Sequence, residues 1–229
     1  MRERKPLELG FLQGRPRIRA SRVRAVVAFG DITAFGNWTR RGSNSPEEFR
    51  SFMVRLYRTF IRFRNGNGYF VKLLGDGFMA VREVKKFGAK REVQSFLEHA
   101  LKLDSEIHQI EKAIFPQPGT FRVRIVVGHV WKIVASHQDQ EGSRQTDYLG
   151  YAVNLAARLL EVGKETGIIC HESVKKILNN DSGFVLERLS SPARCPRGVD
   201  PEDVKALWAV HPLKDSRMAQ AIRSRVTPR

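Results

Sequence analysis

Two aspartates adjoin predicted strands at places where their carboxylates could act together. Asp31 ends the β-branched run that starts at Val26, and Asp76 lies in the tight turn Gly75-Asp76-Gly77 between two further predicted strands. If these strands are neighbours in one sheet, the two carboxylates come close enough to hold two divalent cations. Carboxylate oxygens suit Mg²⁺ or Mn²⁺ better than Zn²⁺. A single aspartate at a strand end, taken alone, is more typical of an ordinary turn.

A second candidate pair lies on one predicted helix, over residues 152–162. Asn154 and Arg158 are four residues apart, so they share one face of an α-helix. Their side-chain donors can therefore converge on one ligand, with Arg158 supplying a positive charge. The competing interpretation is structural, because an asparagine near a helix start often caps the helix and an exposed arginine is often only solvated.

The predicted elements that carry these residues alternate between strands and helices. A strand ends at Asp31, and a helix begins at the capping sequence Ser45-Pro46-Glu47-Glu48. The hydrophobic periodicity then predicts strands over 69–74, 78–84, 121–134, 168–170, 184–189 and 204–210, helices over 93–114, 152–162 and 174–178, and a loop over 135–146. This β-α-β-β-α-β order predicts an α+β, ferredoxin-like fold with an antiparallel central sheet and extra C-terminal strands.

The chain also divides by composition. We expect a basic N-terminal extension over 1–20, one domain over 21–213 and a basic C-terminal tail over 214–229. No apolar run reaches the roughly 18 residues that a membrane span needs, and the first 20 residues lack a signal-peptide core. The sequence therefore predicts a cytoplasmic protein without membrane insertion.

Three separated segments resemble the class III adenylate and guanylate cyclases, in that family's order. The segments are Phe29-Gly30-Asp31-Ile32-Thr33-Ala34-Phe35, Lys72-Leu73-Leu74-Gly75-Asp76-Gly77-Phe78-Met79-Ala80, and Asp147-Tyr148-Leu149-Gly150 with Val153-Asn154-Leu155-Ala156-Ala157-Arg158. The resemblance implies a nucleotidyl cyclase, which closes a nucleoside triphosphate into a 3′,5′-cyclic monophosphate and releases pyrophosphate.

The resemblance also implies a role for each matching position. Asp31, Asp76 and the carbonyl of Ile32 correspond to the ligands of two Mn²⁺ or Mg²⁺ ions. Asn154 corresponds to the residue that orients the ribose, and Arg158 to the one that stabilises charge at the α-phosphate. Lys72 and Asp147 stand where adenylate cyclases contact the base, and Phe35 is a further candidate for substrate binding. The family forms head-to-tail homodimers whose two sites are shared between chains, so a homodimer is implied here as well.

Three departures from the family pattern bear on the site. The strand Arg124-Ile125-Val126-Val127-Gly128 keeps only the last glycine of the usual Gly-Ile-His-x-Gly, which changes the backbone surroundings near Arg124. Arg197, in Pro196-Arg197-Gly198-Val199, is a weak replacement for the lysine that often binds the triphosphate. Trp38, Arg40 and Arg41, just after the first strand, suggest either a phosphate-facing lid or ordinary surface.

The sequence supports two alternative assignments of the substrate's nucleobase. Lys72 and Asp147 offer a donor and an acceptor, which suit adenine and ATP. A short cyclase with these departures also resembles the pyrimidine cyclases of bacterial Pycsar antiphage systems, which make cyclic UMP or cyclic CMP for a separate effector. We expect UTP to be the leading substrate, with Tyr69, Phe70 or Phe78 filling the space that a smaller base leaves.

The net charge of +16 permits other classes of function. A basic chain attracts polyanions, but Lys and Arg are scattered rather than gathered in one stripe, so nucleic acid is not the favoured partner. The alternatives are a nucleic-acid-binding domain, whose affinity would fall steeply with salt, and an inactive cyclase-like module. Neither explains why six site side chains are present together, namely those of Asp31, Asp76, Lys72, Asp147, Asn154 and Arg158.

Overall fold

The computed structural model describes residues 17–33, 35–40, 45–85, 87–113, 121–136, 144–162, 167–178, 183–189 and 195–213. The strands within these ranges are β1 (Arg17–Ile32), β2 (Phe70–Leu74), β3 (Gly77–Glu83), β4 (Phe121–Ser136), β5 (Arg144–Leu149), β6 (Gly167–His171), β7 (Phe184–Arg188) and β8 (Leu207–Pro212). The helices are α1 (Phe35–Arg40), α2 (Pro46–Asn67), α3 (Ala89–Lys112), α4 (Tyr151–Leu159), α5 (Glu172–Leu178) and α6 (Pro201–Lys205).

The strands form one eight-stranded sheet in the order β2-β3-β1-β4-β6-β8-β7, with β5 paired to β4. Every pair is antiparallel except β4 with β6. The first four strands therefore have the order β2-β3-β1-β4 of a ferredoxin-like sheet, and the added strands lie beyond β4. The predicted α+β fold with an antiparallel central sheet and extra C-terminal strands is confirmed.

Helices cover both faces of this sheet, because alternate residues of the central strands point to opposite sides. On one face, Val26, Ala28 and Ile32 of β1 lie in a core cluster with buried residues of α2, α3 and α5. On the other face, Ala25 and Val27 pack in a second cluster with α4. The site-bearing strand β1 is thus fixed from both sides, and Asp31 points by alternation toward the face that α4 covers together with Val204 of α6.

Local sequence signals account for the start of α2. Ser45 caps the helix, its hydroxyl accepting from the Glu48 N–H at 3.1 Å while the Glu48 carboxylate accepts from the Ser45 N–H at 3.0 Å. Such a capping box satisfies two backbone donors that the first helical turn leaves without partners. The predicted cap at Ser45 and the predicted proline at the first helical position are confirmed.

Several predicted boundaries differ from the structure. The segment 204–210 is the end of helix α6 followed by β8, since Asp200 caps a helix that Pro201 begins. The predicted loop 135–146 contains the end of β4 and the start of β5, which pair with each other. Strand β1 begins at Arg17, four residues before the boundary expected at residue 21, because it pairs with β4 as far as Ser136.

Candidate active site

The structure brings the two predicted metal-binding aspartates together. Gly30 of β1 pairs with Phe78 of β3, so the turn that carries Asp76 lies beside Asp31 at the end of β1. The Asp31 and Asp76 side chains are within hydrogen-bonding reach of each other. Burial and the negative charge of Asp31 raise the pKa of Asp76 to about 6, against the opposing effect of backbone N–H groups that include that of Ile32.

Gly77 permits this close approach. A Cβ built on Gly77 would lie 2.4 Å from the carbonyl oxygen of Gly30 and 3.5 Å from the Cα of Asp31. Real Cβ atoms do not approach a carbonyl oxygen so closely, so only glycine fits at position 77 without moving the turn. The turn between β2 and β3 can therefore press against β1, and this contact sets the spacing of the two carboxylates.

Arg122 is a site residue that the sequence did not reveal. It lies opposite Asp31 in the β1–β4 pair, and its Nη2 is 3.4 Å from Oδ2 of Asp31. Its Nη1 donates to the carbonyl of Leu160, at the end of α4, at 2.8 Å. The only available signal was the alternation of basic and apolar residues along β4, and this identifies Arg122 only once the strand register is known.

The two carboxylates fit a divalent cation chemically. Like charges at this separation oppose joint ionisation, as the raised pKa of Asp76 indicates, and a bound cation would reverse that penalty. Within the described ranges, no group of three or more His, Cys, Asp or Glu side chains could hold a metal ion. Two aspartates and the carbonyl of Ile32 would therefore leave coordination positions for water and for phosphate oxygens, as is usual for Mg²⁺.

Lys72 and Asp147 contact each other directly, although they are 75 residues apart in the sequence. Lys72 lies on β2 and Asp147 on β5, and their Nζ and Oδ2 atoms are 2.7 Å apart with both side chains exposed. Asp147 also accepts the N–H of Tyr148 at 2.9 Å through its other oxygen. The pair presents one donor and one acceptor side by side, which is the chemistry needed to read the edge of a base.

Asn154 and Arg158 are both exposed on α4. Arg158 forms an ion pair of 2.8 Å with Glu161, in the turn just after the helix. The buried residues of α4 pack on the sheet, and the Asn154 and Arg158 side chains are left available to a ligand or to a second chain.

The remaining predicted site residues differ in their surroundings. The Phe35 ring packs on Trp38 and Phe52, with ring centroids 5.8 and 5.9 Å away. Trp38 itself is only 8% exposed and belongs to the core of α1 and α2, so the alternative that it is an ordinary surface residue is wrong. Arg197 is exposed on a turn near Val199, while Arg41 lies outside the described residues.

The three aromatic residues expected to fill a pyrimidine pocket do not lie together. Tyr69 and Phe78 are buried in the core cluster on the α2 and α3 side of the sheet, where Tyr69 also hydrogen-bonds to His99. Phe70 packs on Tyr148 on the opposite face, at a centroid distance of 5.0 Å. Because alternate strand residues share a face, only Phe70 lies on the same side as Lys72.

Comparison with known proteins agrees with this arrangement. The family model for the adenylate and guanylate cyclase catalytic domain matches residues 19–193. The chain belongs to this family. No curated protein sequence matches the cyclase chain significantly.

Solved structures with the same fold include two cyclases that are covered almost completely. The adenylyl cyclase CyaB from P. aeruginosa has a TM-score of 0.68 at 15% identity, over 87% of this chain and 98% of that one. The guanylyl cyclase Cya2 has a TM-score of 0.66 at 14% identity, over 86% and 97% of the two chains.

The guanylate cyclase domain of RhGC from Catenaria anguillulae, solved with GTP, has a TM-score of 0.59 at 18% identity, over 84% and 98%. At these identities the comparison establishes the fold of the cyclase.

Among the described residues of this chain, no helix has the length and apolar character that a membrane span requires.

Proposed function

We propose that this cyclase converts a nucleoside triphosphate into a 3′,5′-cyclic nucleotide and pyrophosphate. The observation that carries the proposal is the contact between Asp31 and Asp76, two acidic side chains that the fold holds together at one end of the sheet. In the reaction the ribose 3′-oxygen attacks the α-phosphorus, the 3′-hydroxyl loses its proton, and the bond from the α-phosphorus to the bridging oxygen breaks.

Two divalent cations, Mn²⁺ or Mg²⁺, would be held by Asp31, Asp76 and the carbonyl of Ile32. When bound, they would make the 3′-hydroxyl more acidic and neutralise charge on the departing pyrophosphate. Arg122 places a further guanidinium beside the Asp31 carboxylate, so it can bind a phosphate oxygen of the substrate. The exposed guanidinium of Arg197 is a second candidate for the triphosphate.

The residues of α4 supply the other half of the site in this proposal. Asn154 orients the ribose through its amide, and Arg158 places a planar guanidinium where negative charge develops at the α-phosphate. The proposed assembly is a homodimer with two sites, in which the aspartates of one protomer face α4 of its partner. Exposure of Asn154 and Arg158 on a single chain is consistent with that assembly.

The proposed leading substrate is UTP, which would give cyclic UMP. Uracil offers O4 as an acceptor and N3–H as a donor, and these groups match Lys72 and Asp147 respectively. Phe70 is the aromatic side chain that remains available on the Lys72 face for packing against a small base. We further propose that the product acts in the bacterial cytoplasm, as an antiphage signal for a separate effector.

ATP is the second candidate, because the same ion pair favours it. Adenine offers N1 as an acceptor and its amine as a donor, so Lys72 and Asp147 can read adenine as well as uracil. The Phe35 ring packs against the core. With either substrate, Phe35 would therefore affect substrate binding indirectly, by fixing the position of α1. The Lys72–Asp147 ion pair is thus compatible with both UTP and ATP, and the size of the base-binding pocket must decide between the two substrates.

The test is to incubate the purified protein with Mn²⁺ and with ATP, GTP, CTP or UTP separately, and to identify the products by mass. Cyclic UMP as the main product would support the leading proposal, and cyclic AMP would assign the protein to the adenylate cyclases. If no cyclic nucleotide forms with any substrate, while the protein is folded and dimeric, the proposed activity is wrong and an inactive module is the better description.

A further inference from the structure

Arg124 is an arginine buried completely in the interior of the domain, at 0% exposure. It lies on β4, opposite Phe29 of β1, on the face of the sheet that α4 covers. A buried guanidinium is costly unless its donors are satisfied, so its partners indicate why it is retained.

Those partners include backbone carbonyls at the end of α4. Nε of Arg124 donates to the carbonyl of Leu159 at 3.1 Å, and Nη2 donates to that of Val162 at 3.5 Å. Nη1 donates to the carbonyl of Gly167, the first residue of β6, at 3.2 Å. One side chain therefore connects the last helical turn of α4, the residues just after it and the start of β6.

The Leu159 carbonyl is one of the groups that a helix leaves without intrahelical partners, and the Val162 carbonyl lies just beyond the helix. The last four carbonyls of an α-helix need other donors, and a cation at this end also interacts favourably with the helix dipole. Arg122 binds the carbonyl of Leu160 from the same face of β4. Two arginines at alternate positions of one strand thus hold the carbonyls of Leu159, Leu160 and Val162.

Arg158 is the residue immediately before this anchored segment, and its guanidinium is exposed. A guanidinium that stabilises developing charge must already be in place when the reaction occurs. The orientation of α4 determines where Arg158 and Asn154 point, and Arg124 is hydrogen-bonded to backbone carbonyls at and just after the end of α4.

We propose that Arg124 is a positioning residue for the cyclisation reaction, which holds the Arg158-bearing end of α4 by its bonds to the carbonyls of Leu159 and Val162. The inference rests on the proposed function, because only that function gives Arg158 a substrate. It predicts that loss of Arg124 lowers kcat much more than it raises KM, since the substrate still binds while the transition state is less well stabilised.

The experiment compares Arg124→Met and Arg124→Lys with the wild-type dimer, at a temperature where circular dichroism shows each protein to be folded. Arg124→Met should lower kcat about 10- to 100-fold, as small misplacements of catalytic groups do, and should change KM by less than about threefold. Arg124→Lys should remain impaired, because one ammonium group cannot reproduce the planar fork. Guanidinium ion added to Arg124→Ala should restore part of the lost kcat.

Leu103→Ala is the matched control for stability, since Leu103 is buried on α3 on the other side of the sheet. It should lower the melting temperature without a comparable loss of kcat below that temperature. Equal losses of kcat in Leu103→Ala and Arg124→Met would overturn the proposal, as would wild-type kcat in folded Arg124→Met.

Amide hydrogen exchange of residues 151–162 provides a readout that is independent of activity. Faster exchange of this segment in Arg124→Met, with α3 unchanged, is expected, because the α4 carbonyls lose their donors. If the wild-type protein makes no cyclic nucleotide, the proposed function fails, and the exchange result still tests the anchoring role. Unchanged exchange in the folded variant would show that Arg124 does not hold α4.

Discussion

Gly77 and Gly30 are in direct backbone contact across the β1–β3 pair, and a Cβ on Gly77 would lie 2.4 Å from the carbonyl oxygen of Gly30. This contact brings the turn that carries Asp76 against the strand that carries Asp31. The spacing of the two carboxylates therefore depends on the absence of a single methyl group.

Gly77→Ala should abolish most activity while leaving the protein folded. The added methyl group must push the turn away from β1, which separates the two carboxylates and costs about 1–3 kcal/mol of unfolding free energy through overpacking. Activity and chemical denaturation should be measured on the same preparation. Gly66→Ala is the control, because a Cβ at that position meets nothing within 4 Å and its backbone does not have a positive φ. Similar activity in the two variants would contradict the prediction.

Asp31→Ala and Asp76→Ala should each eliminate cyclic nucleotide formation, because each removes a carboxylate from the proposed cation site. Both variants should remain folded and should no longer be stabilised against heat by Mn²⁺. Product should be measured by mass and the melting temperature with and without Mn²⁺. Glu202→Gln, which changes an exposed carboxylate on α6, should retain full activity and the full Mn²⁺ shift. Full activity in either aspartate variant would invalidate the site assignment.

Mixtures of two inactive variants test whether the sites are shared between chains. Asp31→Ala and Arg158→Ala should each be inactive alone, but their mixed dimer contains one site with neither defect. If subunits exchange freely, an equal mixture should recover about a quarter of the wild-type activity. Native mass spectrometry should verify that mixed dimers form. Mixed dimers without recovered activity would indicate that each site lies within one chain.

The Lys72–Asp147 pair should control which base is accepted. Asp147→Asn keeps the size of the side chain but replaces one acceptor oxygen by a donor, so kcat/KM should fall at least about 10-fold for the preferred substrate. If that substrate is UTP, N3-methyl-UTP should be a similarly poor substrate for the wild-type protein, because it lacks the proton that Asp147 accepts. Lys132, which pairs with Glu83 at 2.7 Å, provides the control variant Lys132→Gln. Equal use of N3-methyl-UTP and UTP would exclude this contact.

Ionisation of the Asp104 carboxyl should lower the stability of the folded protein as the pH rises. Burial and the negative charge of Glu111 raise the pKa of Asp104 from 3.8 to about 7 in the folded protein. Between those values the folded state binds more protons than the unfolded state, so its stability decreases with increasing pH. Asp104→Asn should flatten the pH profile across this window and exceed the wild type above it. Urea midpoints measured across the window test this, and parallel profiles for the two proteins would refute it.

The order of strands and helices could be predicted because most elements carry their own signals. The capping sequence at Ser45, the β-branched run before Asp31 and the apolar periodicity of α3 each depend on neighbouring residues alone. The segment 204–210 was misassigned because its apolar residues belong to two elements, with Val204 buried on α6 and Leu207 on β8. Periodicity over such short stretches does not distinguish a helical turn from a strand.

Residues whose role depends on cross-strand register could not be predicted in the same way. Arg122 becomes a site residue only because β1 and β4 pair with Asp31 opposite to it. Trp38 is buried by contacts with Phe49 and Phe52, which lie on another helix. The sequence around Trp38 does not reveal these contacts, so its burial could not be predicted. The three cyclase segments revealed the candidate site, whereas the side chains that support it became visible only with the fold.

Arg122 joins the carboxylate of Asp31 to the carbonyl of Leu160 within one chain. In the proposed dimer, however, Asp31 and α4 of one protomer belong to two different active sites. The distance between these half-sites is therefore built into the monomer, and only the docking of two monomers completes a reaction centre. In a symmetric dimer both centres form in the same event. The rate of product formation would then depend on how many chains have formed dimers, so the concentration of the protein in the cell would itself act as a threshold.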